Sequence, residues 1–218
     1  SEGEDSILHN RSREIPKLRI GASTTLCKYV LMPRLKNFIS VNPRIRITIS
    51  CQSTYQTLQL LDEEKIDLGL IGRPQKLRGY YFHPLLKIRD TFVCTRQYLE
   101  NQKKLYPDEP LIQAATFMML DEDNITRQTV NAQLKEHHVE LSHILEVTTM
   151  DLLIQFAEIG LGIACVIRDF VKKELEEGTL VEVPVGFSFP PREIGFVCRQ
   201  KDANLDLIVP FFGDGQGN

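Results

Sequence analysis

The sequence lacks an excess of either charge sign, and it also lacks a long apolar run. Its 29 acidic and 26 basic residues leave a net charge of −3, which argues against a broad basic face for binding duplex phosphates. No apolar run approaches the roughly 18–20 residues that span a bilayer, and residues 1–16 are too polar for a signal peptide. By default we expect a cytoplasmic protein with no membrane partner.

The cysteines form neither a disulfide framework nor a zinc-ligand pattern. There are five, an odd number, and they are widely spaced. Most stand in apolar or strand-like stretches, as buried small hydrophobic residues do: Cys51, Cys94, Cys165 and Cys198. The histidines include the run HHVELSH, which lacks cysteine partners and zinc-protease spacing. We therefore expect a reducing compartment and no metal site.

Cys27 differs from the other cysteines, because it lies near a predicted helix start and precedes Lys28. That position can lower the pKa of a thiol and is typical of redox-sensing cysteines. No second cysteine lies near it in the sequence to complete a disulfide. The sequence therefore favours a packed or capped thiol over a redox role.

Catalytic and cofactor motifs are also missing. The sequence contains no G-x-S-x-G elbow, no glycine-rich phosphate loop and no G-x-G-x-x-G after a strand. The GLG at 160–162 follows a helical stripe, and Gly160 is placed for a left-handed C-terminal cap. Carboxylate pairs such as Glu63-Glu64 fall at charged helix ends. We therefore predict no catalytic residues and no cofactor.

The first third of the chain alternates strand and helix signals. Apolar residues alternate with polar ones in two strands, and a helical stripe between them carries Pro33, which should bend it. This alternation predicts a parallel sheet with right-handed crossovers. The predicted elements are strands at 17–22, 45–49 and 66–71, a helix from 26 to about 39, and a helix at about 54–63.

The rest of the chain repeats this theme less cleanly. Acidic residues and Asn124 precede a second helical stripe, as helix starts do, and Thr148 and Thr149 precede a third. The predicted strands are 80–86, 90–95, 116–120, 144–147, 163–167, 180–185 and 192–199, and the predicted helices are 126–137, one after 149, one ending near Gly178, and a short helix or tail at 205–212.

Two stretches resemble the effector-binding domain of LysR-type transcriptional regulators. The first is LRIGASTTLCKYVLMPRLKNFISVNPRIRITISCQSTYQTLQLLDEEKIDLGLI, with its Ser/Thr turn, its Pro33-bearing helix and its N-P-x-I-x-I strand. The second is VTTMDLLIQFAEIGLGIACVIRDFV at 147–171. Elsewhere the resemblance lies in the order of the elements.

The resemblance implies an α/β fold of two Rossmann-like lobes joined by two crossover strands, like type 2 periplasmic binding proteins. The crossovers would lie near 89–95 and 194–199. Lobe I would take 17–88 plus 200–218, lobe II would take 89–199, and 1–16 would be a linker. The winged helix-turn-helix that precedes this domain in the family is absent from the sequence, so we expect the sensor half of a regulator.

Hydroxyl-bearing turns mark the expected ligand site. In open α/β sheets, ligands collect beyond the carboxyl ends of strands, where helix N-termini favour anions. The alternative is that Ser and Thr serve only as helix caps, which is their usual role. The candidate ligand-binding residues are Ser23, Thr24, Thr25, Ser53, Thr54, Thr148 and Thr149.

Arg127 completes the candidate site. It lies in the first turn of a predicted helix, where a cation opposes the helix dipole, so a bidentate bond to a ligand carboxylate would explain its position. An ion pair with Asp121, Glu122 or Asp123 explains it equally well. Arg73 in the loop before Pro74 presents the same two alternatives.

The expected function is to sense a small effector, a carboxylate or other anion, without catalysis. The resemblance implies DNA binding only through the missing N-terminal domain, an antiparallel homodimer of this domain and a homotetramer of the full-length protein. Two alternatives remain open: a solute-binding protein that delivers its ligand to a transporter, and a small-molecule enzyme on the same scaffold.

Overall fold

The computed structural model describes residues 15–213. The expected linker at 1–16 lies almost wholly outside this range, as do His9 and the final part of the expected tail at 214–218. Residues 17–199 build two five-stranded sheets with flanking helices. The architecture is the α/β fold that the alternating signals predict.

The first sheet has the order β2-β1-β3-β10-β4. Strands β1 to β3 run parallel, and β10 runs antiparallel to both of its neighbours. Buried apolar side chains of β1 and β3, such as Leu18 and Leu70, form its core. The strands are β1 (Lys17–Ala22), β2 (Arg46–Cys51), β3 (Leu68–Gly72), β4 (Tyr80–Ile88) and β10 (Arg192–Arg199).

The predicted bend at Pro33 appears as a widened turn. Helix α1 (Thr24–Leu26) continues into a π-helical turn (Cys27–Leu31) and then into α2 (Met32–Val41). The Met32 N–H reaches the Cys27 carbonyl, five residues back. Pro33 offers no N–H and its ring crowds the preceding turn, and the wider turn accommodates it. Helix α3 (Thr54–Asp62) follows β2.

The second sheet has the order β7-β6-β8-β5-β9. Here β6 to β8 run parallel, while β5 is antiparallel to β8. The topology of the first sheet is thus repeated. The strands are β5 (Asp90–Cys94), β6 (Thr116–Met119), β7 (His143–Glu146), β8 (Ile163–Ile167) and β9 (Val181–Glu182).

The remaining helices follow the predictions with two additions. Helices at Arg96–Leu105 and Leu111–Ala114 were not predicted, and the predicted strand at 180–185 shortens to β9. Gly160 has φ +80° after α7, which confirms the left-handed cap. The helices are α4 (Arg96–Leu105), α5 (Leu111–Ala114), α6 (Ile125–Glu136), α7 (Met150–Glu158), α8 (Lys172–Glu177) and α9 (Val209–Phe212).

The lobe boundary differs from the sequence-based expectation at one strand. We expected lobe II to extend to residue 199, but all of β10 pairs with β3 and β4 in the first sheet. The chain therefore passes between the sheets at Arg89 and again before Arg192. The pattern REIGFVCR identified a buried strand without indicating which sheet it joins.

Candidate functional site

The turns at 23–25 and 148–149 share one cleft between the two sheets. Strands β1 and β2 of the first sheet and β6 and β7 of the second end at this cleft, whose volume is about 300 Å³. That volume lies at the lower end of the range for small-molecule sites. The cleft is lined by Ser23, Thr24, Thr25, Cys51, Gln52, Ser53, Gln56, Leu120, Asp121, Asp123, Asn124, Thr148 and Thr149.

Three of the predicted hydroxyls cap helices, as the alternative interpretation requires. Ser23 Oγ accepts the Leu26 N–H at 3.2 Å, and Thr149 Oγ1 accepts the Leu152 N–H at 3.3 Å. Ser53 forms a capping box with Gln56, in which its Oγ accepts the Gln56 N–H at 3.2 Å. Each bond satisfies one of the free N–H groups at a helix start.

Capping and ligand binding are compatible at these residues. A hydroxyl that accepts one N–H still has its own O–H to donate, and the first N–H groups of each helix have no acceptor within the helix. Helices α3, α6 and α7 begin at the cleft, and so does the helical stretch that starts at Thr24. Their dipoles place partial positive charge in the cleft.

The two walls of the cleft differ in charge. The first sheet supplies hydroxyls and the Gln52 and Gln56 amides, whereas the second supplies the Asp121 and Asp123 carboxylates beside Asn124. Asn124 caps α6 by accepting the Thr126 N–H at 2.8 Å and the Arg127 N–H at 3.3 Å. Hydroxyl donors therefore lie on both walls, since Thr148 and Thr149 belong to the second, whereas the carboxylate acceptors of the cleft lie on the second wall.

An ion pair connects the two sheets beside a small cavity that adjoins the cleft, and we call this pair the floor. Arg192 at the start of β10 donates to both carboxylate oxygens of Asp90, at 2.7 and 2.9 Å, and to Thr126 Oγ1 at 2.8 Å. The Asp90 side chain is 1% exposed and that of Arg192 14%. Because β10 and β5 belong to different sheets, this pair joins the lobes. Arg192, but not Asp90, lines this cavity of about 30 Å³, together with Thr25 and Thr54.

Gly72 makes room for this floor. A Cβ at Gly72 would lie 3.2 Å from an Arg192 guanidinium nitrogen and 3.7 Å from Ile125. The absence of a side chain at the end of β3 therefore lets Arg192 reach across from the first sheet to Asp90 and Thr126 in the second.

Further contacts connect the lobes at the rim. Lys28 Nζ and the Tyr29 hydroxyl each lie 3.1 Å from a carboxylate oxygen of Asp151, in the first turn of α7. Burial, together with the Asp151 carboxylate, raises the pKa of Tyr29 to about 12, so the phenol stays protonated and donates. On the other side, the Tyr55 hydroxyl donates to Gln128 at 3.0 Å.

Arg127 is not among the residues that line the cleft. Its side chain is 5% exposed, and its guanidinium donates to the Leu120 carbonyl at 2.7 Å, to Asn131 at 3.1 Å and to Glu146 at 3.3 Å. Glu122 lies 3.9 Å away. This arrangement favours the ion-pair alternative, although with Glu146 as the main partner.

Arg73 also forms an ion pair outside the cleft. Its Nη1 donates to Glu193 at 2.9 Å, and its guanidinium lies 5.2 Å from the Phe82 ring centre. The seven predicted hydroxyl residues thus all line the cleft or the small cavity below it, whereas both arginines lie outside.

Sequence reasoning missed the residues that the second wall and the floor contribute. In the sequence, Asp121, Asp123 and Asn124 indicated a helix start, and the two carboxylates also possible partners of Arg127, but not a wall of the ligand site. Arg192 and Asp90 lie 102 positions apart in the chain, and only the pairing of β10 in the first sheet brings them together. Each begins a predicted strand, which was the one signal available.

A second, larger hollow lies beside the segments that pass between the sheets. Its volume is about 730 Å³, and it is lined by residues 87–92, 168–169 and parts of 182–191. Arg168 donates to Glu182 at 3.0 Å on its wall. The turns that follow β1, β2 and β7 do not line this hollow, so it lacks the predicted hydroxyl residues that line the first cleft.

Residues 15–213 show no sign of a metal centre or of a membrane-spanning helix. There we find no cluster of three or more His, Cys, Asp and Glu side chains suited to a metal ion. The same range contains no helix with the length and apolar character of a membrane span. In the HHVELSH run, the ring of His137 stacks on Phe187 at 4.1 Å.

Solved structures of LysR-family regulatory domains share this fold. The regulatory domain of HypT from Salmonella typhimurium superposes with a TM-score of 0.74 at 16% identity, covering 91% of this chain and 92% of that one. The regulatory domain of MetR from N. meningitidis superposes with a TM-score of 0.69 at 19% identity, covering 90% of this chain and 90% of that one. At these identities the likeness shows the fold alone.

Curated relatives are HTH-type transcriptional regulators. YeiE of Escherichia coli K12 is 24% identical over 179 residues, covering 77% of this chain and 57% of YeiE. CmpR of Synechocystis is 25% identical over 203 residues, covering 88% of this chain and 63% of CmpR. The chain thus spans a little over half the length of the relatives it matches.

The sequence model of the LysR substrate binding domain matches residues 11–211. Because that match includes every strand of both sheets, the chain belongs to the LysR substrate binding domain family.

Proposed function

We propose that this chain is the effector-sensing domain of a LysR-type DNA-binding transcriptional regulator, and that a small carboxylate binds in the cleft. The observation that carries the proposal is the meeting of hydroxyl-capped helix N-termini from both sheets in one cleft of about 300 Å³. Such a site offers unpaired N–H and O–H donors to an anion. The family match favours this function over the solute-binding alternative.

The two walls narrow the ligand class. The carboxylate would face the Ser23–Thr25 and Ser53–Thr54 turns, while Asp121 and Asp123 would face a donor on the ligand. A purely anionic ligand would meet two carboxylates on that wall. We therefore infer a small carboxylate that also carries a hydroxyl or amino group, bound through Ser23, Thr24, Thr25, Ser53, Thr54, Thr148 and Thr149. Arg127 acts indirectly in this account, since it holds the Leu120 carbonyl at the edge of the cleft.

Signalling would follow from contacts to both lobes. A ligand that bridges the walls binds the closed arrangement more tightly than an open one, and it shifts the population by that difference in affinity. In the proposed regulator, lobe I comprises 17–88 plus the segment from 192 onward, and lobe II comprises the residues between. The change would reach DNA through an N-terminal domain in a cytoplasmic dimer or tetramer. Catalysis has no part in this proposal.

Thermal-shift and calorimetric screening of small hydroxy and amino carboxylates tests the proposal. We expect at least one to bind, and Thr25→Val to weaken it about three- to tenfold, the effect of one lost hydrogen bond. Thr48→Val is the matched control, because Thr48 is exposed on β2 outside the cleft. A screen across metabolite classes with no binder, or a binder equally weakened by both variants, would contradict it.

A further inference from the structure

Two cysteines that are distant in the sequence meet at the rim of the cleft. The Sγ atoms of Cys27 and Cys51 lie 3.6 Å apart. Cys27 opens the π-helical turn and is half-buried. Cys51, which the sequence predicted to be buried, is exposed because it ends the edge strand β2. Cys51 also lines the cleft. The sequence offered no neighbouring partner for Cys27, but the pairing of β1 with β2 supplies one.

We propose that Cys27 and Cys51 are a redox-active dithiol, which exchanges with low-molecular-weight disulfides to form a Cys27–Cys51 disulfide. A disulfide bond measures about 2.05 Å, so the sulfurs must approach by about 1.5 Å. Both positions allow a small movement, since Cys51 ends an edge strand and Cys27 begins a widened turn. The other cysteines, Cys94, Cys165 and Cys198, are buried.

The exchange proceeds in two balanced steps. The exposed Cys51 thiolate attacks one sulfur of a disulfide RSSR, which forms a mixed disulfide and releases one RSH after protonation. Cys27 then loses its proton and attacks the Cys51 sulfur, which releases the second RSH. In sum, two protein thiols are oxidised by two electrons, and one RSSR is reduced to two RSH.

Exposure and ionisation fix the order of these steps. Burial, reinforced by the hydrogen bond to Cys51 and by its charge, raises the pKa of Cys27 to about 12. Cys27 therefore stays protonated while Cys51 is free. Once Cys51 carries the mixed disulfide, its thiol no longer shares a hydrogen bond with Cys27, and the cost of ionising Cys27 falls. Cys51 is thus the attacking thiol and Cys27 the resolving thiol.

The disulfide would join two elements that shape the cleft. Cys27 directly precedes Lys28 and Tyr29, which hold Asp151 of the opposite lobe. Cys51 directly precedes Gln52 and Ser53 on the first wall. Oxidation would thus fix the distance between the rim contact and that wall. Its bearing on effector binding rests on the proposed function, whereas formation of the disulfide does not.

Peptide mapping after treatment with oxidised glutathione tests the proposal. The native protein is oxidised, quenched in acid, unfolded and alkylated, and its peptides are identified by mass spectrometry. We expect a peptide pair linked through Cys27 and Cys51, and alkylation of only three of the five cysteines. Reduction with dithiothreitol should restore all five.

Single variants separate the two roles. Cys27→Ser should stop the reaction at a stable glutathione adduct on Cys51, whereas Cys51→Ser should remove both the link and the adduct. Cys94→Ala is the control and should retain the link. The proposal is overturned if the native protein keeps five alkylatable thiols, accumulates the Cys51 adduct without the link, or forms a disulfide through one of the buried cysteines.

Discussion

The two walls of the cleft share one topology and differ in chemistry. In each sheet the parallel strands stand in the same order, with one antiparallel strand inserted beside them. The first wall ends in the Ser23–Thr25 and Ser53–Thr54 turns, and the second in the Thr148–Thr149 turn and the acidic turn at 121–124. Repeated topology places the helix N-termini opposite each other, and in the proposed function the side chains at the turns would decide how a ligand is oriented between them.

The largest expected effect comes from the floor that holds the walls together. Arg192→Met leaves the buried Asp90 carboxylate without its partner, and breaking such a pair costs about 3–5 kcal/mol. Urea unfolding measures the loss. The control is Arg73→Met, which breaks the exposed pair with Glu193 and should cost less than about 1 kcal/mol. Equal effects of the two variants would show that the floor does not hold the lobes together.

A second variant tests the role of Arg127 in the second wall. Arg127→Met removes the donor to the buried Leu120 carbonyl, and the expected loss of stability is about 2–3 kcal/mol. Because Arg127 lies outside the cleft, the ligand affinity of the folded variant should change less than that of Thr25→Val. If Arg127→Met lost ligand binding while its stability stayed unchanged, the result would show that Arg127 contacts the ligand carboxylate directly.

The first lobe has an ion pair that makes its stability depend on pH. Burial alone would raise the pKa of Asp67, but hydrogen bonds from the Arg19 side chain and N–H, with the charges of Arg19 and Arg199, hold it below its usual value. A carboxylate with a lowered folded-state pKa stabilises the fold above its unfolded pKa of about 3.9. This contribution is lost as the pH falls through the folded-state pKa.

Asp67→Asn should therefore cost about 1–2 kcal/mol at pH 7, and the difference from the wild type should shrink as the pH falls. Urea unfolding of both proteins, from neutral to strongly acidic pH, measures this difference in the free energy of unfolding. A difference that stays constant or widens in acid would show that the Asp67 charge does not stabilise the first sheet.

The smallest effect concerns the acidic wall. Asp123 is exposed, so its interaction with a ligand is screened and amounts to about 0.2–1 kcal/mol. Asp123→Asn should tighten binding of a plain carboxylate by up to about fivefold, and it should weaken binding of an amino carboxylate. Calorimetry with matched ligands measures both changes. If Asp123→Asn changed the affinity for both ligands in the same direction, the proposed orientation of the ligand between the walls would be contradicted.

Local patterns predicted most of the strands and the hydroxyl turns, because alternation and capping leave signals within a few residues. The first-sheet pairing of β10, the Arg192–Asp90 floor and the Cys27–Cys51 contact depend on strands meeting across long stretches of chain. Arg127 shows a different limit. Its position in the first turn of α6 suited both a ligand contact and an ion pair, and only the positions of Leu120 and Glu146 separate them.

The most direct test of ligand binding between the two walls is a titration. A carboxylate that binds is added to the isotopically labelled protein, and the backbone amide resonances of the protein are followed. We expect the amides of Ser23–Thr25 and those of Thr148 and Thr149 to shift together with a single dissociation constant. Shifts confined to the hollow lined by residues 182–191, or to one wall of the cleft alone, would contradict binding between the two walls.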